Sequence, residues 1–185
     1  MIAFIYSEEQ SSYVLRENHP LKLHRLHLTF ELLKSYGAFE KSSHLPAEPC
    51  PEEWLLKFHT KEYVDAVKSF SRGEMRYDPL RFNFSDWGDN PIYPGMYEMS
   101  VLSSGSSLKG ARLIYEGSYK RVFNPSGGLH HAYPSYASGF CIFNDPVIAI
   151  LYLLDHNMRV AYIDIDAHHG DGVQFAFYRT DRVLN

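Results

Sequence analysis

The sequence predicts an α/β fold built on a mainly parallel sheet, and three observations lead to this prediction. Residues 159–165 form a continuous apolar run, which is typical of a strand buried on both faces of a parallel sheet. Residues 121–165 follow the order strand, helix, strand, which predicts a right-handed βαβ unit. Residues 96–116 predict a helix that carries several small side chains, and such a helix can pack closely against a sheet.

The first half of the chain supplies one predicted strand and four predicted helices. The apolar residues 2–6 predict a short buried strand. Residues 22–36 predict a helix with apolar positions at helical spacing, ended by Gly37. Shorter helices are predicted at 51–58 and 61–70. Residues 71–95 show no periodicity and predict a long surface loop, which precedes the helix at 96–116.

The second half predicts the two strands that frame the most polar segments. A strand at 121–124 is followed by a loop from 125 to 144. Asp145 and Pro146 suit a helix start, with a capping residue before a proline in the first turn, and the helix is expected to reach residue 156. The strand at 159–165 follows, and residues 182–185 predict the opening of another buried strand.

Composition excludes several classes of function. A chain of 185 residues suffices for one domain with a core. Lys and Arg number 18 against 22 Asp and Glu, a net charge of −4 without long like-charge runs, so neither a nucleic-acid nor a membrane-surface partner is expected. The longest apolar run, 146–154, is too short to span a bilayer. Two distant cysteines predict no disulfide framework and a reduced, cytoplasmic setting.

Charged groups are concentrated where the predicted strand 159–165 ends. Asp164, Asp166 and His168 alternate along extended backbone, so their side chains can point the same way. His169 and Asp171 follow within three residues. Desolvated charges must be paired or bind a metal, so this segment predicts a ligand site.

A second cluster, His130 and His131, lies in the loop after the strand 121–124. A histidine pair alone is more often incidental than functional, and an aspartate at a strand end is commonly a turn or cap residue. Here, however, both clusters follow predicted parallel strands, whose carboxyl ends form the ligand crevice of open α/β sheets. The combination predicts a metallohydrolase site.

The residue types suggest how such a site would divide its work. Asp166 and His168 suit zinc, which in catalytic sites takes three protein ligands and leaves a position open for water. His130 and His131 are both candidates for the general base. Asp164 and Asp171 are candidates for the carboxylates that orient the histidines. Cys141 is interpreted as a small buried residue. Six further histidines are interpreted as structural or surface residues: His19, His24, His27, His44, His59 and His156.

Three motifs resemble the zinc-dependent histone deacetylase superfamily, which includes bacterial acetoin-utilisation proteins. They are residues 127–132 (GGLHHA), 137–145 (ASGFCIFND) and 162–174 (YIDIDAHHGDGVQ). Residues 18–25 and 58–63 match further family positions in the same order. The resemblance implies a three-layer αβα, arginase/deacetylase-like fold, of which residues 1–185 would be the N-terminal part of a single deacetylase domain.

The resemblance also implies roles for individual residues. Asp166 and His168 would be zinc ligands, and Asp164 would help to form a site for a monovalent cation such as K⁺. His131 would be the general base and His130 a general acid or electrostatic partner.

The same resemblance places Asp164 in support of His130, and Asp171 in support of His131. Gly139 and Phe140 would line a tunnel for an acetyl-lysine or acetylpolyamine-like chain. Asp89 would hold substrate backbone at the rim, and Arg25 would lie near an inner acetate-release cavity.

The chain departs from the family pattern in one respect. Family members are longer, and the third zinc ligand and the tyrosine that stabilises the oxyanion lie beyond residue 185. Losing one oxyanion donor costs about two to three orders of magnitude in rate. We therefore expect a deacetylase parent and a weak or inactive chain. The alternatives are a non-catalytic fragment or pseudoenzyme that acts by interaction, and a two-metal hydrolase of similar topology. The sequence leaves the oligomeric state open.

Overall fold

The computed structural model describes residues 1–184, and its regular elements alternate between short strands and helices. The elements in chain order are β1 (Ile2–Ile5), α1 (His24–Ser35), β2 (Ser43–Leu45), α2 (Glu52–Leu55), α3 (Lys61–Ser71), α4 (Met96–Tyr115), β3 (Arg121–Phe123), α5 (Asp145–Asp155), β4 (Val160–Ala161), α6 (Asp171–Phe177) and β5 (Val183–Leu184). None of the helices described combines the length and apolar character needed to cross a membrane.

The strands form two sheets in which every strand pairing is parallel. The larger has the order β2-β1-β3, with Ala3 opposite both Ser43 and Val122. The smaller pairs β4 with β5. The predicted α/β class with a mainly parallel sheet is therefore confirmed. Strand β2 was not predicted, because three residues of mixed polarity give no periodicity that sequence reading can use.

Helix α4 packs closely on its neighbours through the small residues noted in the sequence. At Gly110, a Cβ atom would lie 3.2 Å from Val122 of β3. At Gly105, it would lie 1.8 Å from the carbonyl oxygen of Glu48 and 2.5 Å from the amide nitrogen of Cys50. The small residues therefore allow close packing against the sheet, as predicted, and also against the segment before α2.

Residues 71–95 form the long surface loop that the sequence predicted, but part of this loop is packed into the core. A 3₁₀ turn spans Pro79–Phe82, and Phe82 and Phe84 are buried. The ring of Phe84 stacks on Tyr63 of α3 at 6.2 Å, and that of Phe70 meets it edge-on at 5.5 Å. Aromatic side chains thus anchor the middle of this loop in the core, without any helical or strand period that the sequence could reveal.

The predicted strand at 159–165 is much shorter in the structure, and the prediction of burial on both faces was wrong. Strand β4 covers only Val160–Ala161, and the last backbone bond to β5 joins Tyr162 to Leu184, the last residue that the structure describes. The residues after Tyr162 have no strand partner among residues 1–184, and Ile163 and Ile165 are 82% and 94% exposed. Strands β3 and β4 also belong to different sheets, so the expected βαβ unit within one sheet is not formed among residues 1–184.

Candidate active site

An open pocket of about 780 Å³ lies between the loop that follows β3 and the segment that follows β4. Except for Asp171, every site residue predicted from the sequence lines it: Arg25, Asp89, His130, His131, Gly139, Phe140, Asp164, Asp166 and His168. The carboxyl ends of β3 and β4 thus bring the two polar clusters together as expected, although the two strands belong to separate sheets.

His130 is held by a carboxylate from the opposite segment. Its Nδ1 lies 2.6 Å from Oδ2 of Asp164, and the imidazole is buried. The hydroxyl of Tyr162 donates to the same oxygen at 2.6 Å. Burial alone would raise the pKa of Asp164, but hydrogen bonds from Tyr162, His130 and the amide of Asp166 outweigh it and lower that pKa to about 2. Asp164 is therefore a carboxylate at neutral pH.

His131 makes an equivalent pair with the first residue of α6. Its Nδ1 lies 2.7 Å from Oδ1 of Asp171, which also accepts from the amide of Gly172 at 2.9 Å. The rings of His130 and His131 are 4.2 Å apart. Because a carboxylate engages Nδ1 of each ring, Nε2 is the nitrogen left for other chemistry.

Two glycines allow this close approach. A Cβ at Gly170 would lie 2.4 Å from Oδ2 of Asp164 and 3.2 Å from Nδ1 of His130, inside the first pair. A Cβ at Gly139 would lie 2.4 Å from the ring of His131, and the backbone there has φ +50°. Larger residues at either position would displace the histidines.

Asp166 and His168 form the more open part of the pocket. Nδ1 of His168 lies 3.1 Å from Oδ1 of Asp166, and the His168 side chain is 81% exposed. The backbone amide and the ring of His168 lower the pKa of Asp166. The two side chains are thus adjacent and accessible.

This donor set fits zinc only in part. One carboxylate and one imidazole are ligands that zinc takes, and they stand side by side. Asp164, which was predicted to support His130 and to help hold a monovalent cation, is engaged by His130 and Tyr162. Within residues 1–184 no three His, Cys, Asp or Glu side chains assemble as a metal site. A complete site would need a further donor from outside the part of the chain that the structure describes.

The turn that opens α5 fixes the backbone of the histidine loop. Both carboxylate oxygens of Asp145 accept backbone amides, from Gly128 at 3.1 Å and from Leu129 at 2.8 Å. The hydroxyl of Ser107 donates to it at 2.5 Å, and Asp145 is 1% exposed. Burial raises the pKa of Asp145, and these hydrogen bonds partly counter the rise.

The role of Asp145 was missed because the sequence suggested that it caps α5. The cap is instead Asn144, whose side chain accepts from the amide of Val147. The amide group of Asn144 also donates to the carbonyls of His130 and Ala132, at 3.1 and 3.0 Å. Asn144 and Asp145 together thus act as a clamp on the histidine loop. Two polar residues before a proline, where one suffices as a cap, are the signal that could have revealed this clamp.

His59 was interpreted as structural or surface, and the structure confirms a structural role within the clamp. Its Nε2 accepts from the amide of Asn144 at 3.0 Å, and its Nδ1 lies 3.1 Å from the carbonyl of Tyr133. The residue is 2% exposed. Burial lowers the pKa of His59 to about 3, against the raising effect of its backbone partners, so the ring is neutral.

The neutral His59 predicts a specific acid sensitivity. Its pKa is lower in the folded chain than the usual value of 6.5, so its contribution to stability is present above pH 6.5 and is lost as pH falls towards 3. Between pH 6.5 and 4.5 we expect it to contribute a slope of up to about 1.4 kcal/mol per pH unit to the free energy of unfolding. Urea unfolding of the wild type and of His59→Asn over this range measures the difference. Equal slopes in the two proteins would contradict the prediction.

The pocket rim is tied to Phe140, a predicted tunnel residue. The amide of Phe140 donates to Oδ1 of Asn90 at 2.9 Å, and the backbone there has φ +72°. The ring of His19 meets Phe140 edge-on at 4.7 Å, and its Nε2 lies 3.1 Å from the carbonyl of Asp89. His19 is fully buried, so the structure places it as a packing residue that supports the rim.

Two further predictions concern the pocket interior. Arg25 lines the main pocket and also a small cavity of about 30 Å³, which is bounded by Leu26, Met99 and Ile142 among others. Cys141 is buried, and burial raises the pKa of its thiol to about 12. A thiol with such a pKa is not a nucleophile at neutral pH, in agreement with the sequence interpretation.

The sequence was also compared with known protein families. A model of the histone deacetylase domain matches residues 19–185. The chain belongs to the histone deacetylase family. The recognition made from the three motifs is thereby confirmed.

Curated relatives match almost the whole chain. It is 39% identical to histone deacetylase RPD3 of Saccharomyces cerevisiae over 186 residues, and 43% identical to histone deacetylase B of Dictyostelium discoideum over 185 residues. In both cases 99% of this chain is covered, against 42% and 43% of the relative. The chain therefore spans less than half the length of the curated relatives it matches. These relatives are eukaryotic, so the bacterial subgroup named from the sequence stays a prediction.

The fold is similar to solved structures of the same family. A crystal structure of an HDAC homolog from Aquifex aeolicus matches with a TM-score of 0.89 and 34% identity, over 98% of this chain and 49% of the other. A crystal structure of an HDAC homolog complexed with SAHA matches equally well. The predicted deacetylase-like fold is thus confirmed, for about half of that chain's length.

Proposed function

We propose that the whole protein hydrolyses an acetylated amine, of the acetyl-lysine or acetylpolyamine type, with the help of zinc. The observation that carries this proposal is the meeting of two His–Asp pairs with the Asp166–His168 pair at one pocket. Acyl transfer to water needs a base, an acid and a group that polarises the carbonyl, and the pocket offers residues for each task.

His131 is proposed as the general base. Asp171 engages its Nδ1 and keeps that nitrogen protonated, so the unprotonated Nε2 can take a proton from the attacking water. The carboxylate also stabilises the imidazolium that results.

His130 is proposed as the general acid or electrostatic partner. Its ring lies 4.2 Å from that of His131, and Asp164 stabilises positive charge on it. An imidazolium here would donate to the leaving amine. Two histidines with separate carboxylates allow the proton to be taken at one ring and delivered at the other.

The remaining site residues are proposed to position the substrate. Gly139 and Phe140 line the pocket where an extended acetylated chain would enter, and Asp89 stands at its rim. Arg25, beside the small inner cavity, would attract the acetate product.

Zinc and a monovalent cation are proposed as cofactors. A zinc ion held by Asp166, His168 and a third donor would acidify water and polarise the amide carbonyl. Asp164, with the backbone of Asp166 and His168, is proposed to help hold a cation such as K⁺. Both cysteines are free, which agrees with the proposed reducing, cytoplasmic location.

For residues 1–185 alone we propose weak or no activity. The specific observation behind this alternative is that residues 1–184 gather no three metal donors, and that Asp166 and His168 are largely exposed. A chain of this kind would keep the fold and act by interaction, or serve as one part of a larger catalytic domain.

The test is hydrolysis of an acetyl-lysine peptide by the whole protein, with released acetate quantified. We expect turnover that a chelator abolishes and that zinc restores, and a loss of at least about 100-fold in His168→Ala. His156→Ala serves as the control and should keep full activity, because His156 is a partly buried residue at the far end of α5 and does not line the pocket. Turnover by His168→Ala at the wild-type rate would contradict the proposal, as would a whole protein that releases no acetate.

A further inference from the structure

The rim of the pocket carries an almost fully exposed tryptophan. Trp87 is 95% exposed, and it belongs to the turn from Ser85 to Asn90 that includes the pocket residue Asp89. Consecutive Cα atoms are 3.8 Å apart, so the Cα atoms of Trp87 and Asp89 lie within about 7.6 Å of each other. The ring of Trp87 is thus exposed to solvent on a turn beside the mouth of the pocket.

The turn that presents Trp87 is held at several points. Its ends are joined by a bond from the amide of Ser85 to the carbonyl of Asn90, at 2.9 Å. Arg16 donates to the carbonyl of Asp86, and Asn90, which is buried, accepts from the amide of Phe140. Because the turn is bonded to Phe140, the backbone that carries Trp87 is held beside the pocket.

The charges on this turn define what the ring can bind. Asp86 and Asp89 flank Trp87, both are exposed, and neither forms an ion pair within residues 1–184. The nearby positive charge, Arg16, is half-buried and directed to a backbone carbonyl. Tryptophan is the aromatic side chain that binds cations best, and carboxylates on both sides strengthen that preference.

We propose that Trp87, with Asp86 and Asp89, selects peptide substrates that carry a cationic side chain next to the acetylated lysine. The inference rests on the proposed function. An acetylated side chain that enters the pocket leaves its peptide backbone at the mouth, and neighbouring residues of an extended peptide lie about 3.3 Å apart along the chain. The long side chain of an arginine one position from the acetyl-lysine would thus be within reach of the Trp87 ring.

The experiment uses the whole protein and two acetyl-lysine peptides that differ only in one residue beside the acetyl-lysine, arginine or its neutral isostere citrulline. We expect the wild type to favour the arginine peptide by roughly threefold to tenfold in kcat/KM. Trp87→Ala should reduce this preference to below about twofold and should leave the citrulline peptide nearly unaffected. Trp87→Phe should keep part of the preference, because its ring binds cations less well.

Tyr36→Ala is the matched control, because Tyr36 is an exposed aromatic residue at the end of α1 that does not line the pocket. It should keep the wild-type preference. Equal hydrolysis of both peptides by the wild type, or an equal loss on both in Trp87→Ala, would overturn the selection by Trp87 while leaving the deacetylase proposal intact. Hydrolysis of neither peptide by the wild type would instead refute the proposed function, and the selection with it.

Discussion

Replacing His131 by alanine is expected to lower kcat of the whole protein by about 100-fold to 10,000-fold, the range typical for loss of a general base. Nδ1 of His131 is engaged by Asp171, so the variant removes the oriented Nε2 that is assigned to the base. The change in KM should be small, since the ring is assigned to proton transfer and not to substrate binding.

Steady-state kinetics of His131→Ala and Asp171→Asn, beside the control His156→Ala, measure this effect. Asp171→Asn should be less damaging than His131→Ala, because the imidazole remains and only its orientation and charge stabilisation suffer. If His131→Ala kept more than a tenth of wild-type kcat, His131 would not be the base, and His130 would become the candidate.

Replacing Asp145 by alanine is expected to lower the free energy of unfolding of the chain by about 3 to 5 kcal/mol. The variant would remove a buried carboxylate that three partly buried hydrogen bonds engage, and would leave the amides of Gly128 and Leu129 and the hydroxyl of Ser107 without their acceptor. A fully buried donor left unsatisfied costs about 1 to 3 kcal/mol, and these partly buried donors are expected near the lower end of that range.

The opposite end of α5 offers a matched control. Asp155 is half-exposed and forms a surface ion pair with Lys57, so Asp155→Ala should cost less than about 1 kcal/mol. Denaturant unfolding of both variants gives the comparison. A cost of Asp145→Ala no larger than that of Asp155→Ala would show that the carboxylate does not hold the histidine loop.

The sequence revealed those parts of the site that are encoded within short segments. The alternation of Asp164, Asp166 and His168, and the pairing of His130 with His131, could be predicted from local spacing. Their meeting at one pocket followed from the rule that ligand sites form at the carboxyl ends of parallel strands. The pairing of each histidine with its own carboxylate came from the family resemblance, and the distances of 2.6 and 2.7 Å agree with it.

Features that depend on distant contacts could not be predicted in this way. The two polar residues before Pro146 indicate that one of them is not needed as a cap, but they do not indicate that the carboxylate of Asp145 accepts the amides of Gly128 and Leu129. Phe84 is buried in a segment without periodicity, because its partners belong to α3. Hydrogen bonds between distant residues and aromatic packing leave no local pattern.

The predicted extent of the strand at 159–165 was wrong for a different reason. Its apolar character correctly indicated residues suited to burial, but a strand also needs partners along its whole length. Only Val183–Leu184 pairs with it among the described residues, so the ladder ends near Tyr162 and Ile163 stays exposed. Hydrophobicity therefore predicted the type of the element, and the available partners decided its extent.

The measurement that tests the central claim most directly is zinc content, determined by elemental analysis on residues 1–185 and on the whole protein after purification without chelator. Asp166 and His168 provide two donors, so we predict about one zinc per whole protein and far less than one in the isolated chain. Zinc bound in the whole protein and lost in His168→Ala would support the proposed metal site. A whole protein that binds no zinc, even when zinc is added, would contradict the account, and the fold would then serve a role other than zinc-dependent hydrolysis.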